Sequence, residues 1–225
     1  MSRLTEVLLE IIQRLNDQYG KRTWKRWRKP LPELIRTILS QNTTDKNSLR
    51  AFARLKDRFK NWEAVMGANT EEIADAIRIG GLANIKAEKI QTILREIKEQ
   101  QGKLSLEFLS NWDVSKATGY LESFNGVGPK TSACVLIFSF NFPILPVDTH
   151  IHRVSNRLGI ISTKSREKSQ EQLNELVPRE HIYSFHLNLI EHGRKICYAR
   201  HPNCEDCFLK DLCQYYQNKN EGKKD

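Results

Sequence analysis

Apolar residues recur along most of the chain at intervals of three and four, the spacing that places them on one face of an α-helix. Three such faces stand out: Leu4, Val7, Leu8, Ile11, Ile12 and Leu15; Leu34, Ile35, Ile38 and Leu39; and Ile90, Ile93, Leu94 and Ile97. No segment has the strict alternation of apolar and polar residues that is typical of a half-buried strand. The pattern therefore predicts an all-α protein.

One predicted helix differs from the others because it is apolar on almost every face. It covers Lys130 to Phe140, KTSACVLIFSF, and a helix of this kind is buried all round. We expect it at the centre of a helical bundle, with Cys134 as an unreactive core residue. Thr70 and Ser115 precede other periodic runs and are predicted N-caps.

The overall composition fits a protein that binds a polyanion. The 225 residues include 36 Lys and Arg against 27 Asp and Glu, which gives a net charge of +9. A surplus of this size favours nucleic acid, although a merely basic protein would look the same. The first residues do not resemble a signal peptide and no apolar stretch is long enough for a membrane span, so we expect a cytoplasmic protein that does not associate with membranes.

The turn before the apolar helix has the composition of a tight hairpin. A predicted helix from Ser115 to Ser123 is followed by Gly126, Val127 and Gly128, and the two glycines permit backbone conformations that other residues avoid. Pro129 suits the first turn of the next helix. The amides of such a hairpin and helix start are donors for an anion, and a DNA phosphate is the natural ligand. An ordinary helical corner is the alternative.

Lys130 follows the hairpin directly. Most lysines are simply solvated. Here, however, the helix N-terminus disfavours the ammonium form, and we expect the adjacent apolar residues to desolvate the amine as well. A neutral amine is a nucleophile, so Lys130 is a candidate for covalent catalysis.

Asp148 precedes the run Thr149-His150-Ile151, and it is predicted to cap a helix that ends at Leu158. It is also a candidate for catalysis, because a carboxylate stabilises developing positive charge and accepts a proton. Both roles are compatible when each uses one carboxylate oxygen.

Four of the five cysteines lie close together near the end of the chain. Cys197, Cys204, Cys207 and Cys213 have the spacing C-x6-C-x2-C-x5-C. Clustered cysteines in an intracellular chain favour a metal site over disulfides. The spacing alone leaves zinc and an iron–sulfur cluster both open.

Together, the hairpin with its lysine, the segment VDTHIHRV around Asp148 and the cysteine spacing resemble the endonuclease III family of DNA glycosylases. The resemblance covers about residues 31–213. It implies two helical domains: a six-helix barrel with the helix–hairpin–helix over residues 29–142, and an iron–sulfur domain formed by residues 1–28 and 143–225. It also implies an active site between the domains that receives a nucleotide turned out of the duplex.

The resemblance further implies the roles of individual residues. Lys130 would form a Schiff base with the sugar, Asp148 would be the catalytic carboxylate, and the four cysteines would hold a [4Fe–4S] cluster. The partner would be double-stranded DNA with a damaged base or an abasic site, bound by a monomer. Arg200, in the loop after Cys197, is expected to meet DNA phosphate.

The sequence departs from the family in the segment ILSQNTTD, residues 38–45, which resembles the part that fills the space left by the flipped base. If Asp45 is aligned with the family's aspartate, the family's glutamine falls at Asn42, with Gln41 one residue earlier, and either of the two could fill this space. Leu82 resembles a second residue that wedges into DNA. Pro129 stands where many relatives have a basic residue. These changes bear on the choice of substrate more than on the reaction.

The resemblance therefore predicts a bifunctional glycosylase and abasic-site lyase for oxidised pyrimidines. One alternative is a glycosylase of the same superfamily for mismatched or alkylated bases, although monofunctional members generally lack a lysine at this hairpin. The alternative from another class is a non-catalytic, metal-stabilised DNA-binding protein. That alternative gives no reason for Lys130 and Asp148 to occur together.

Overall fold

The computed structural model describes residues 3–26 and 28–221, and within these residues its regular structure is entirely helical. The α-helices are α1 (Arg3–Tyr19), α2 (Pro30–Ser40), α3 (Asp45–Arg58), α4 (Trp62–Gly67), α5 (Thr70–Ile77), α6 (Ala83–Gln101), α7 (Val114–Glu122), α8 (Pro129–Phe140), α9 (Thr149–Leu158), α10 (Arg166–Leu176), α11 (Ile182–Lys195) and α12 (Gln214–Glu221). Four short 3-10 helices accompany them: Arg78–Gly80, Glu107–Asn111, Arg179–His181 and Lys210–Leu212. The predicted all-α class is confirmed.

The chain divides into two compact units. The hairpin unit is Arg26–Phe142, and the terminal unit combines Met1–Lys25 with Pro143–Asp225. In the hairpin unit α8 packs against α2 and α7, and α6 packs against α4 and α5. In the terminal unit α9 packs against α10, α11 and α12, while α1 packs against α11.

The hydrophobic periodicity predicts the buried faces of α2 and α6 correctly and that of α1 in part. Leu8, Ile11, Ile12 and Leu15 of α1 are buried, whereas Leu4 near the start of the helix is 39% exposed and Val7 is half-buried. Every residue of α8 from Thr131 to Ser139 is buried, so the expectation of a central helix is confirmed. Cys134 is 6% exposed within this helix.

Both predicted N-caps are wrong by one or two positions. Asn69, not Thr70, caps α5 and accepts a hydrogen bond from the Glu71 amide. Asp113, not Ser115, caps α7 and accepts from the Lys116 amide at 2.8 Å. In each case an Asn or Asp stands one or two residues before the predicted residue, and these side chains satisfy the first amides of a helix at least as well as Ser or Thr.

In the part of the chain that the structure describes, we find no helix with the length and apolar character needed to cross a lipid bilayer.

Candidate functional site

The hairpin between α7 and α8 depends on one glycine. Gly126 has φ +80°, a left-handed conformation that side chains rarely adopt, whereas Gly128 is extended with φ −102°. Of the two glycines that permit unusual conformations, only Gly126 therefore adopts one. Val127 is 4% exposed and its amide donates to the Phe124 carbonyl, so the apolar residue anchors the turn in the core.

Lys130 lies in the first turn of α8, as predicted, but its side chain is exposed. The expected desolvation of its amine by the buried wall of α8 is wrong. Helical side chains tilt towards the N-terminus of the helix. A side chain in the first turn therefore extends away from the buried turns that follow. The amine is accessible from solvent, which a bulky substrate requires.

Asp148 caps α9 as predicted. Its Oδ1 accepts a hydrogen bond from the Ile151 amide at 2.8 Å, and the side chain is half-buried. Asp148 belongs to the terminal unit and Lys130 to the hairpin unit.

The residues predicted to enter DNA lie on two exposed turns of the hairpin unit. Asn42 is exposed and has φ +53°, and Leu82 is 49% exposed with φ +50°. A left-handed conformation at a non-glycine residue is costly and persists only where the surrounding structure holds it. Gln41, the other candidate, is half-buried and its side chain makes hydrogen bonds within the unit.

In the terminal unit, the four predicted cysteine ligands, Cys197, Cys204, Cys207 and Cys213, line a single pocket. Among the described residues, no three His, Cys, Asp or Glu side chains are gathered closely enough for a single metal ion, and the four thiols surround this pocket instead. Such a space suits a cluster that is ligated by four separate thiolates.

Burial and the proximity of the other thiols raise the pKa of Cys207 to about 11, and burial likewise raises the pKa values of Cys204 and Cys213. Cysteine binds metal as the thiolate, so a bound metal has to displace these protons. Beside them, burial lowers the pKa of His192 to about 4, which keeps its imidazole neutral. His192 lies with Nε2 3.7 Å from Cys207 Sγ and Nδ1 3.2 Å from the Tyr19 hydroxyl.

Two arginines on α9 hold the loop that begins at Cys197. Arg153 donates to the Cys197 carbonyl at 2.9 Å, and Arg157 donates to the Tyr198 and Ala199 carbonyls at 2.6 and 3.0 Å. Arg157 Nη1 also lies 3.4 Å from Cys197 Sγ. Neither arginine was predicted as a functional residue from the sequence, although their spacing of four places them on one face of a predicted helix. Arg200 is exposed on the loop that they hold.

Comparison with known proteins identifies both parts of the chain. Residues 35–179 match the model of the HhH-GPD superfamily of base excision DNA repair proteins, and residues 197–213 match the iron–sulfur binding domain of endonuclease III. The chain is 36% identical to endonuclease III of Thermotoga maritima over 193 residues, which cover 86% of each protein. It is 42% identical over 181 residues to a putative DNA glycosylase of Arabidopsis thaliana, covering 80% of this chain and 60% of that protein.

A solved structure of a trapped covalent intermediate of endonuclease III with DNA has the same fold. It superimposes with a TM-score of 0.80 at 27% identity, covering 96% of this chain and 98% of that one. The chain thus belongs to the HhH-GPD superfamily of base excision repair proteins and, within it, to the endonuclease III family. It is an enzyme, a DNA glycosylase of the endonuclease III type.

The match over residues 197–213 also decides between the two metals that the spacing left open. The cofactor is an iron–sulfur cluster of the [4Fe–4S] type, as predicted, and not zinc. The four cysteines of this segment are the thiols that line the pocket and would hold the cluster.

Replacing Cys204 with alanine is expected to remove the cluster. The purified variant should lose the broad visible absorption of iron–sulfur charge transfer and contain well under the roughly four irons per chain of a cubane cluster. Cys134→Ala is the matched control, because it removes a thiol that lies in the core of the other unit; it should keep both the colour and the iron. Full iron in Cys204→Ala would contradict the ligand assignment.

Proposed function

We propose that the protein is a monomeric, bifunctional DNA glycosylase and abasic-site lyase that removes oxidised pyrimidines from double-stranded DNA and cuts the strand by β-elimination. The position of Lys130 is the observation that carries this proposal. Its amine is exposed at the start of α8, directly after the hairpin. A covalent link between enzyme and DNA needs a nucleophile of this kind, and a covalent intermediate has been trapped in a structure of similar fold.

The reaction that we assign to Lys130 proceeds in two stages. Its neutral amine bonds to C1′ of the sugar while the bond from C1′ to the base breaks, and the base leaves with the bonding electrons and takes up a proton. The amine then loses one proton, the C1′–O4′ bond breaks as O4′ takes up a proton, and a protonated imine joins Nζ to C1′. This imine acidifies the proton on C2′, whose removal expels the 3′ phosphate and breaks the strand.

We assign to Asp148 the stabilisation of positive charge on the sugar as the base departs, and acceptance of the proton from Lys130. The Ile151 amide donates to Oδ1, so we assign the part in the reaction to Oδ2.

The DNA contacts that we propose come from both units. The backbone of Gly126, Val127 and Gly128 and the first turn of α8 would bind a phosphate, since helix N-termini and tight turns offer free amides to anions. Asn42 and Leu82 would meet the bases. Arg200 would bind phosphate from the exposed loop after Cys197. The net charge of +9 supports such an interface.

Changing Arg200 to alanine should flatten the salt dependence of duplex binding. Loss of one phosphate contact reduces the slope of log K against log salt concentration by about one unit. Binding of an undamaged duplex is measured over a series of salt concentrations. Arg58→Ala is the control, because this guanidinium is already paired with Glu72 and should leave the slope unchanged. Equal slopes for Arg200→Ala and the wild type would place the loop away from DNA.

A panel of duplexes tests the proposed substrate and reaction together. Each carries one lesion: an oxidised pyrimidine, uracil, a mismatched thymine, an alkylated purine or a pre-formed abasic site. The proposal predicts fastest cleavage of the oxidised pyrimidine and of the abasic site, with an imine-derived product. Base release from the alkylated purine without strand cleavage would indicate a monofunctional glycosylase instead.

A further inference from the structure

Helix α6 holds the two exposed turns of the hairpin unit through one buried lysine. Lys86 is 2% exposed, and its Nζ donates to the carbonyls of Leu39 and Gly80, at 2.9 Å each. Leu39 lies at the end of α2, three residues before Asn42, and Gly80 lies two residues before Leu82. Because a buried ammonium group must be hydrogen-bonded, Lys86 fixes these two carbonyls relative to each other.

Lys89, one helical turn further along α6, extends this connection to the hairpin through Gln41. Its Nζ donates to Gln41 Oε1 at 3.3 Å. The amide nitrogen of Gln41 donates in turn to the Gly126 carbonyl at 3.2 Å and lies 3.4 Å from Thr131 Oγ1. Both ends of the Gln41 side chain are therefore engaged inside the unit.

The Lys89 side chain lies across the hairpin glycine. A Cβ atom added to Gly126 would collide with Cε and Nζ of Lys89. Gly126 is thus needed for two reasons: it adopts the left-handed conformation of the turn, and its lack of a side chain leaves space for Lys89 to reach Gln41. The hairpin, α6 and the turn formed by residues 41–44 are held together at this point.

Asn42 follows Gln41 directly, but its side chain faces solvent, whereas that of Gln41 is bonded within the unit. Asn42 is exposed, and its φ of +53° makes it the left-handed residue of that turn. An asparagine tolerates this conformation better than most residues, but the surrounding structure still has to hold it there.

We propose that Gln41 and Lys89 are positioning residues that tie the hairpin to the turn of residues 41–44, so that Asn42, and not Gln41, meets the DNA. This inference rests on the proposed function. A hydrogen bond joins Gln41 to Gly126. The hairpin that binds a phosphate and the turn that presents Asn42 to the duplex therefore form one rigid surface. Gln41 contributes to lesion recognition without touching the DNA.

Binding to two duplexes tests the proposal without the chemical step. One duplex is intact, and the other contains a tetrahydrofuran abasic analogue, which cannot form an imine. The quantity of interest is the ratio of the two Kd values, since loss of a positive charge weakens both equally and cancels. Gln41→Ala, Lys89→Met and Asn42→Ala should each reduce the wild-type ratio about tenfold. The double variant Gln41→Ala/Lys89→Met should be no worse than the poorer single variant, because both changes remove the same connection.

Lys98→Met is the matched control. It makes the same change of charge on the same helix, and Lys98 bonds only locally, to the Gly102 carbonyl in the structure. It should leave the ratio unchanged. Gln41 and Lys89 are partly exposed, so their substitution should leave the fold intact. Lys86→Met is not used, because it would remove the lysine donor from two buried carbonyls.

Two results would overturn the proposal. Additive losses in the double variant would mean that Gln41 and Lys89 act separately. A ratio that falls in Gln41→Ala but not in Asn42→Ala would make Gln41 the side chain that meets DNA. Strand cleavage by the wild type is measured separately and tests the proposed function. A wild type that prefers the abasic analogue but never cleaves a lesion would contradict the reaction and not the positioning role.

Discussion

Replacing Lys130 with glutamine is expected to abolish the covalent protein–DNA adduct that borohydride traps during turnover. Reduction of an imine is what makes the adduct permanent, and a glutamine amide cannot form an imine. Strand cleavage should fall by about three orders of magnitude or more, as is usual when the nucleophile of an enzyme is removed. The adduct is read on a denaturing gel with an oxidised-pyrimidine duplex, and cleavage is read under single-turnover conditions.

The structure provides both a reason to expect a folded variant and a control. Lys130 is exposed, so glutamine at this position leaves the core unchanged and duplex affinity should stay close to that of the wild type. Lys116→Gln makes the same change in the same helix–hairpin–helix, at an exposed residue of α7. It should trap and cleave normally. Persistent trapping by Lys130→Gln would show that another amine is the nucleophile.

Replacing Asp148 with asparagine should slow base release by about two to three orders of magnitude, because a neutral amide cannot stabilise the charge that develops on the sugar. The fold should be unaffected, because asparagine caps a helix about as well as aspartate and its oxygen can still accept from the Ile151 amide. A pre-formed abasic site should still be cut to a measurable extent, since its aldehyde is already available to the Lys130 amine. Single-turnover rates on the two substrates separate these steps.

Asp113→Asn is the matched control for this change. Asp113 caps α7 with the same geometry, accepting from the Lys116 amide at 2.8 Å, and it has no proposed part in the reaction. Both variants should melt at similar temperatures, while only Asp148→Asn loses base release. A normal rate of base release in Asp148→Asn would reduce Asp148 to a helix cap.

Much of the fold was accessible from the sequence because it follows from local patterns. The apolar faces of α1, α2 and α6 obey helical spacing, and the all-round apolar run predicted the buried α8. The cap by Asp148 was predicted because it requires only a carboxylate before a helix start.

The residues that sequence reasoning missed act over long separations. Lys86 bonds to a carbonyl 47 residues away, and Arg157 reaches the loop 41 and 42 residues further on. No periodicity marks such partners, since a lysine or arginine on a helix is usually solvated. The same reasoning failed at Lys130, whose neighbours along α8 are buried although its own side chain, in the first turn, is exposed.

Mass spectrometry of the trapped adduct identifies the nucleophile directly. Wild-type protein is incubated with an oxidised-pyrimidine duplex and borohydride, then digested, and the peptide that carries the reduced sugar is sequenced. We expect a single modified residue, Lys130, in the peptide that contains the start of the buried helix α8. A modification on any other lysine, or on the N-terminal amine, would contradict this expectation.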